Sequence, residues 1–109
     1  MSFMLTKKQI RNRTKTVTRR LGWWFLNTGD ILNAVEQCQG LKKGEKIKIL
    51  CQIRVVSTRK EKLYEIDRHD CIAEGFPDLT ADGFVDMFCK SHKKCLPETP
   101  VNRIEFEYV

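Results

Sequence analysis

The stretch Lys46–Val56, KIKILCQIRVV, decides the fold class. Ile47, Ile49, Cys51, Ile53 and Val55 fall on one face; Lys46, Lys48, Gln52 and Arg54 fall on the other, with Leu50 the one break. Alternation at period two, rich in β-branched residues, marks a strand with one face on a core. Toward the C-terminus, "STRKEK" (57–62) reads as a turn and Leu63–Ile66 as a returning strand. Thr80 caps a helix through about Lys90, and Ala81, Phe84, Val85 and Phe88 lie at helical spacing as its core face. Pro97 and Pro100 break the chain. Arg103–Val109 then alternates again, with Ile104, Phe106 and Tyr108 one way and Arg103, Glu105 and Glu107 the other.

Toward the N-terminus, Asn33 to Gln37 leads into a turn region around Gly40 and Gly44, and Gly22 and Thr28-Gly29-Asp30 are turn signals. Thr6-Lys7-Lys8-Gln9 reads as a capping box opening a short helix that fades by about Thr14. Strands near both ends with helices between them predict an α+β fold, most simply a small β-barrel decorated by helices. There is no internal repeat, low-complexity segment or linker, so residues 1–109 are read as one domain.

The 109 residues are 41% hydrophobic and 31% charged. That balance suits a folded globular chain, which at this length buries roughly 65% of its unfolded surface. No apolar run approaches the ~20 residues of a membrane span. "MSFML" is too short for a signal peptide and is followed by Lys7 and Lys8, so a cytoplasmic location is expected. The net charge of +6 is concentrated at one end. Residues 1–20 hold Lys7, Lys8, Arg11, Arg13, Lys15, Arg19 and Arg20 and no acid, whereas the remainder has one more acid than base. Such a one-sided field suits a polyanion or a nucleotide. Lys7, Lys8, Arg11 and Arg13 can form a basic helix face that tracks phosphates. A membrane-surface helix would need a wide apolar face, which Ile10 alone does not supply.

Within that end, "RTKTVTRR" (Arg13–Arg20) interleaves hydroxyls with cations. Lys15 and Thr18 are three apart. They share a face on a helical turn and oppose each other on a strand. A hydroxyl becomes a nucleophile when a base takes its proton, and a lysine serves as that base when burial and like charge lower its pKa from about 10.4. Trp23 and Trp24 are adjacent and must point apart; one is a core residue and the other is free to stack on a base.

Five cysteines, Cys38, Cys51, Cys71, Cys89 and Cys95, are an odd number and are read as thiols, with Cys51 buried in its strand. Cys89, His92 and Cys95 would hold zinc only with a fourth ligand from His69 or Cys71, and C-x2-H-x2-C matches no standard finger. No metal or cofactor is assigned, and a zinc-stabilised interaction module remains the third alternative.

Five pieces in order, "TKTVTRR", "GW..LNTGD", "AEGFPDLT", "FVDMFCKSH" and "VNRIEFEYV", resemble the ASCH domain family over about Lys15 to Val109. The resemblance implies a PUA-like β-barrel with a basic cleft that binds RNA or a modified, cytidine-like nucleotide. Arg13, Lys15, Arg19, Arg20, an aromatic from Trp23 or Trp24, and the basic helix residues would line it. One branch is similar to an N4-acetylcytidine amidohydrolase. By that likeness Thr18 would be the nucleophile, Lys15 the group that takes its proton, and Glu74 the shuttle to the leaving amine. The same residues can instead hold an anion, with Lys15 and Arg19 on a phosphate and Thr18 donating a hydrogen bond. This chain departs from the pattern by inserting "NTGDILNAVEQCQGLKKG" before its main strand and by its paired tryptophans.

Overall fold

A computed structural model describes residues 1–37 and 40–109. Four strands, β1 (Val17–Arg20), β2 (Ile31–Val35), β3 (Ile49–Lys62) and β4 (Pro100–Tyr108), form an antiparallel sheet in the order β1-β4-β3-β2. Helices α1 (Lys7–Arg11), α2 (Arg68–Ala73) and α3 (Ala81–Ser91) complete an α+β fold. The sheet curls into a half-barrel, with β1 and β2 as its two edges. Of the small β-barrel expected from the sequence, the described residues form this half-barrel.

KIKILCQIRVV is a strand only from Ile49 onward. Ile53 and Val55 are fully buried and Cys51 half-buried, while Ile47 and Ile49 are exposed. "STRKEK" is not a turn. It continues β3 to Lys62, pairing with β4 from Ser57↔Glu105 to Lys62↔Pro100. It contains no Gly, Pro, Asn or Asp to make a tight turn, Arg59 and Glu61 are met by ion pairs, and Lys60 and Lys62 lie over the Trp24 and Tyr64 rings, so composition alone misleads. The register shifts between Val55 and Ser57, where Val56 bulges. Val55 pairs with Phe106 and Thr58 with Ile104, so two residues three apart share the apolar face. The bulge thereby turns Arg59 and Glu61 to the opposite face, beside Arg103.

Leu63–Ile66 is not a returning strand. Leu63–Glu65 is a 3-10 turn whose Leu63 and Tyr64 amides donate to Thr99 O and Pro97 O. Where Asn33 to Gln37 is expected to lead into a turn, Ile31–Val35 pairs with β3 as an edge strand. The Phe3 amide donates to Val35 O and the Val35 amide to Met1 O, which covers part of that edge. Helix α3 forms as its pattern dictates, with Thr80 Oγ1 accepting from Gly83 N at 3.1 Å and Phe84, Val85 and Phe88 buried. With Leu63, Ile66, Cys71, Cys95 and Val101 they make the larger core; Phe3, Ile10, Ala34, Ile53 and Phe106 make a second, on the sheet.

The capping box at α1 is absent: Thr6 makes no side-chain cap. Gln9 Nε2 instead donates to Gly75 O at 3.1 Å, joining α1 to the end of α2. Gly75 has φ +96, and a Cβ there would lie 2.7 Å from Gln9 Cγ, so only glycine fits this approach. Among the described residues no helix is long and apolar enough to cross a membrane.

Candidate functional site

The sheet register assigns the faces of β1. Thr18 pairs with Ile104 and Arg20 with Asn102, while Arg19 pairs with Arg103. Arg19 therefore shares a face with Arg103, Arg59 and Glu61, away from Thr18 and Arg20. Helix α2 brings Asp70 and its C-capping residue Glu74 to this charged face. Asp67 Oδ1 caps α2 by accepting from Asp70 N at 2.8 Å. Just before β1, the Thr16 amide donates to Ala73 O at 2.8 Å and Tyr108 Oη donates to Lys15 O at 2.6 Å. The backbone of Lys15 is thus clamped between α2 and β4.

The result is a buried ionic cage. Lys15 Nζ donates to Glu74 Oε1 at 2.6 Å and to Glu74 O at 2.8 Å, with both side chains 3% exposed. Arg19 spends each nitrogen on a carboxylate. Nη1 donates to Glu74 Oε2 at 3.2 Å, Nε to Glu61 Oε1 at 3.1 Å, and Nη2 to Glu61 Oε1 and Asp70 Oδ2 at 2.5 Å each. Arg103 grips Asp70 through two bonds of 2.7 and 3.0 Å, and Arg59 reaches Glu61 Oε2. Among the described residues no buried side-chain nitrogen or oxygen lacks a partner. Such completeness is what a dry ion cluster requires, because an unpaired buried charge costs several kcal/mol, roughly 3–5 when one partner is deleted.

Charges shift accordingly. Burial lowers the pKa of Lys15, with Arg20 and Arg19 adding to the fall and Glu74 opposing it. The Arg103 hydrogen bonds hold Asp70 well below the usual carboxylate range, and Arg19 adds to this. Burial works against charged Arg19, but Asp70, Glu74 and Glu61 outweigh it and raise its pKa. Burial pushes the Tyr108 hydroxyl up to about 12, so it stays a donor to Lys15 O.

Lys15, Thr18, Arg19, Arg20 and Glu74 line one pocket of about 260 Å³. Its other wall is apolar and comes from Phe3, Phe76, Phe84, Met87, Phe88 and His92. His92 stacks on Phe88 at 4.1 Å and its Nδ1 lies 2.9 Å from Phe88 O. Thr18 Oγ1 accepts from Arg20 Nε at 3.2 Å, and Arg20 Nη2 donates to Ser2 O at 2.6 Å.

The three residues assigned by resemblance thus meet at one pocket, though Lys15 bonds to Glu74 and Thr18 to Arg20 rather than to each other. Arg19 touches the pocket but is consumed by carboxylates and is not a spare cation. The remaining basic and aromatic candidates lie outside the pocket lining. Lys7 and Arg11 pair with Glu36 at 3.4 and 3.1 Å, so the α1 face is partly neutralised. Arg13 sits over the Tyr108 ring at 5.4 Å. Trp23 packs against the Leu26, Val55 and Ile104 cluster, while Trp24 is half exposed with Lys60 Nζ 5.8 Å from its ring. No particular contact involving Lys8 bears on the pocket.

The zinc alternative loses its geometry. Among the described residues the His, Cys and acidic groups converging within 4.8 Å are Asp67, His69 and Asp70, and Asp70 is already held by two arginines. Cys89 and Cys95 Sγ are 3.8 Å apart, but His92 turns to Phe88 O rather than toward them. Cys51 is half-buried rather than buried, and Cys38 lies outside the described residues. Sequence reading missed Glu61, Asp70, Arg103 and the His92 wall. An Asp67-x-x-Asp70 cap was the one local signal for α2.

No family model matches the chain, and no curated protein matches it. A solved structure shares its fold. The crystal structure of protein EF3133 from Enterococcus faecalis V583, described under the family model DUF984, superposes with a TM-score of 0.66. The likeness covers 96% of this chain and 67% of that one at 16% identity.

Proposed function

We propose that this chain is an ASCH-type, PUA-like domain that holds a modified, cytidine-like nucleoside, free or within RNA, in the pocket over Lys15 and Glu74. The observation that carries this reading is the pocket's two-sided character. An ionic pair and the Arg20–Thr18 couple offer directional polar contacts, and Phe76, Phe84 and Phe88 offer apolar walls for a flat ring. Its volume falls just below the ~300–1,000 Å³ of drug-sized ligand sites, which suits a single base or nucleoside. The cations outside the pocket would supply the salt-dependent contact to phosphates.

The second reading is hydrolysis of an acyl group from N4-acetylcytidine or a related nucleoside. It is favoured by the lowered pKa of Lys15 and by Thr18 and Glu74 on the same pocket. In that reaction Thr18 Oγ1 attacks the amide carbonyl as its proton passes to neutral Lys15, Glu74 relays that proton to the leaving cytosine amine, and water then cleaves the Thr18 ester to release the acid and restore the hydroxyl. Binding ranks first because the Thr18–Lys15 hydrogen bond this step begins from is not made.

One experiment separates the two. The protein is incubated with N4-acetylcytidine while binding is followed by calorimetry and cytidine by chromatography. Binding without cytidine supports the first reading. Cytidine that disappears in Thr18→Ala moves the second to first place. Neither binding nor cytidine, together with no salt-dependent affinity for RNA, overturns both.

A further inference from the structure

Arg19 makes one hydrogen bond to Glu74 and three to Glu61 and Asp70. That division is unusual for a guanidinium beside a carboxylate, since the strong arrangement is the two-bond fork. Here Asp70 and Glu61 occupy Nη2 and Nε, and only Nη1 remains for Glu74. Glu74 therefore keeps its second oxygen, Oε1, for Lys15 at 2.6 Å. Asp70 is in turn fixed by Arg103 through both of its oxygens, and Glu61 by Arg59 through Oε2.

The charge count has the same logic. With Glu105, 3.8 Å from Arg103, Lys15, Arg19, Arg59 and Arg103 balance Glu61, Asp70, Glu74 and Glu105 one for one. Lys15 is the one cation of that set able to release its proton, since arginines stay charged. We propose that Glu61 and Asp70 are positioning residues: acting through Arg19, they hold Glu74 against Lys15 and set whether Lys15 carries its proton in the pocket. Neither touches the ligand space directly, since neither lines the pocket.

Every charged or titratable group around Lys15 enters this balance. Glu74 comes from the end of α2, Arg19 and Arg20 from β1, Asp70 and His69 from α2, Glu61 and Arg59 from β3, and Arg103 and Glu105 from β4. His92 of α3 stands in the pocket wall, and the Tyr108 hydroxyl donates to the Lys15 carbonyl. Replacing Asp70 by its amide isostere removes one negative charge and weakens the hold on one hydrogen of Arg19 Nη2, the other staying on Glu61 Oε1. Arg19 then forks onto Glu74, and Lys15 loses part of its partner. Both changes disfavour the ammonium.

The inference rests on reading this pocket as the ligand site, but its test needs no ligand. The full chain is made with 13Cε-labelled lysine, the Lys15 signal is assigned by its loss in Lys15→Met, and its shift is followed against pH. Asp70→Asn is expected to lower the Lys15 midpoint by on the order of one pH unit, as one charge at nearby range does in a partly wet interior. Glu61→Gln is expected to move it the same way and serves if Asp70→Asn does not fold. A purely structural role would loosen the cage, admit water and move the midpoint up toward 10.5, the ordinary value. An unchanged or raised midpoint in the folded variants overturns the proposal. Nucleoside binding to the unaltered protein is decided separately, so either reading can fail while the other stands.

Discussion

Two sets of ion pairs, both drawing on the basic N-terminal segment, behave as opposites. Lys7 and Arg11 meet Glu36 near the surface, with side chains 39% and 59% exposed. Lys15 and Arg19 meet Glu74 with side chains 3% and 1% exposed. The residue types are the same, and only solvent differs. In water a pair exchanges one hydration shell for another and gains little. In the interior the partners have given up water, so each is held by the need of the other. Composition gave both sets equal weight as a basic patch, whereas burial makes one a soft surface and the other a fixed device.

The largest test of this contrast is Glu74→Ala. It strands Lys15 and takes a carboxylate from Arg19, and should cost about 3–5 kcal/mol in denaturant unfolding. A loss below about 1 kcal/mol would place the pair on the surface side of the comparison. Gly75→Ala attacks the same corner through the backbone. Its positive φ and the 2.7 Å approach to Gln9 should cost more than about 1 kcal/mol and disturb the Gln9–Gly75 bond.

Acidity sharpens the contrast. The folded pKa of Lys15 lies below 10.5, so near that range the unfolded chain binds more protons and stability rises with pH. The folded pKa of Asp70 lies below its ordinary 3.8, so its contribution is present above about that pH and is lost as pH falls further. Thermal unfolding from pH 2 to pH 10 should show an acid-side loss that Asp70→Asn diminishes. The smallest effect is expected from Glu36→Ala, under about 1 kcal/mol and fading with added salt. A salt-resistant loss there would mean that the α1 pairs are as dry as the cage.

The sequence made some of this legible for clear reasons. Helix α3 and strand β4 carry strong periodicity and a capping threonine, so pattern and structure agree. Lys15, Thr18 and Glu74 were reached through a resemblance, and the structure brings them to one pocket. The remaining cage was not legible. The bonds of Lys15 and Arg19 to their carboxylates join residues 42 to 59 positions apart in the chain, Arg103 reaches Asp70 across 33, and nothing local in Asp70 announces a partner. "STRKEK" failed for the same reason. A charged segment looks solvated until the opposite charges that enclose it are known.

The bulge at Val56 has a consequence for how this protein can vary. Val56 itself is partly exposed and makes little of the core, so its side chain is open to exchange. Its place outside the ladder is another matter. It works as a punctuation mark between two messages written on one 14-residue strand, an apolar one before it and an ionic one after it. Drawing Val56 into the regular ladder would leave every letter of Ser57–Lys62 intact and transpose them, turning Arg59 and Glu61 toward the apolar face and Thr58 and Lys60 toward Arg19, whereas removing Val56 would keep Ser57 on Glu105 and Thr58 on Ile104. The strand tolerates spelling changes at this point but not a change of frame.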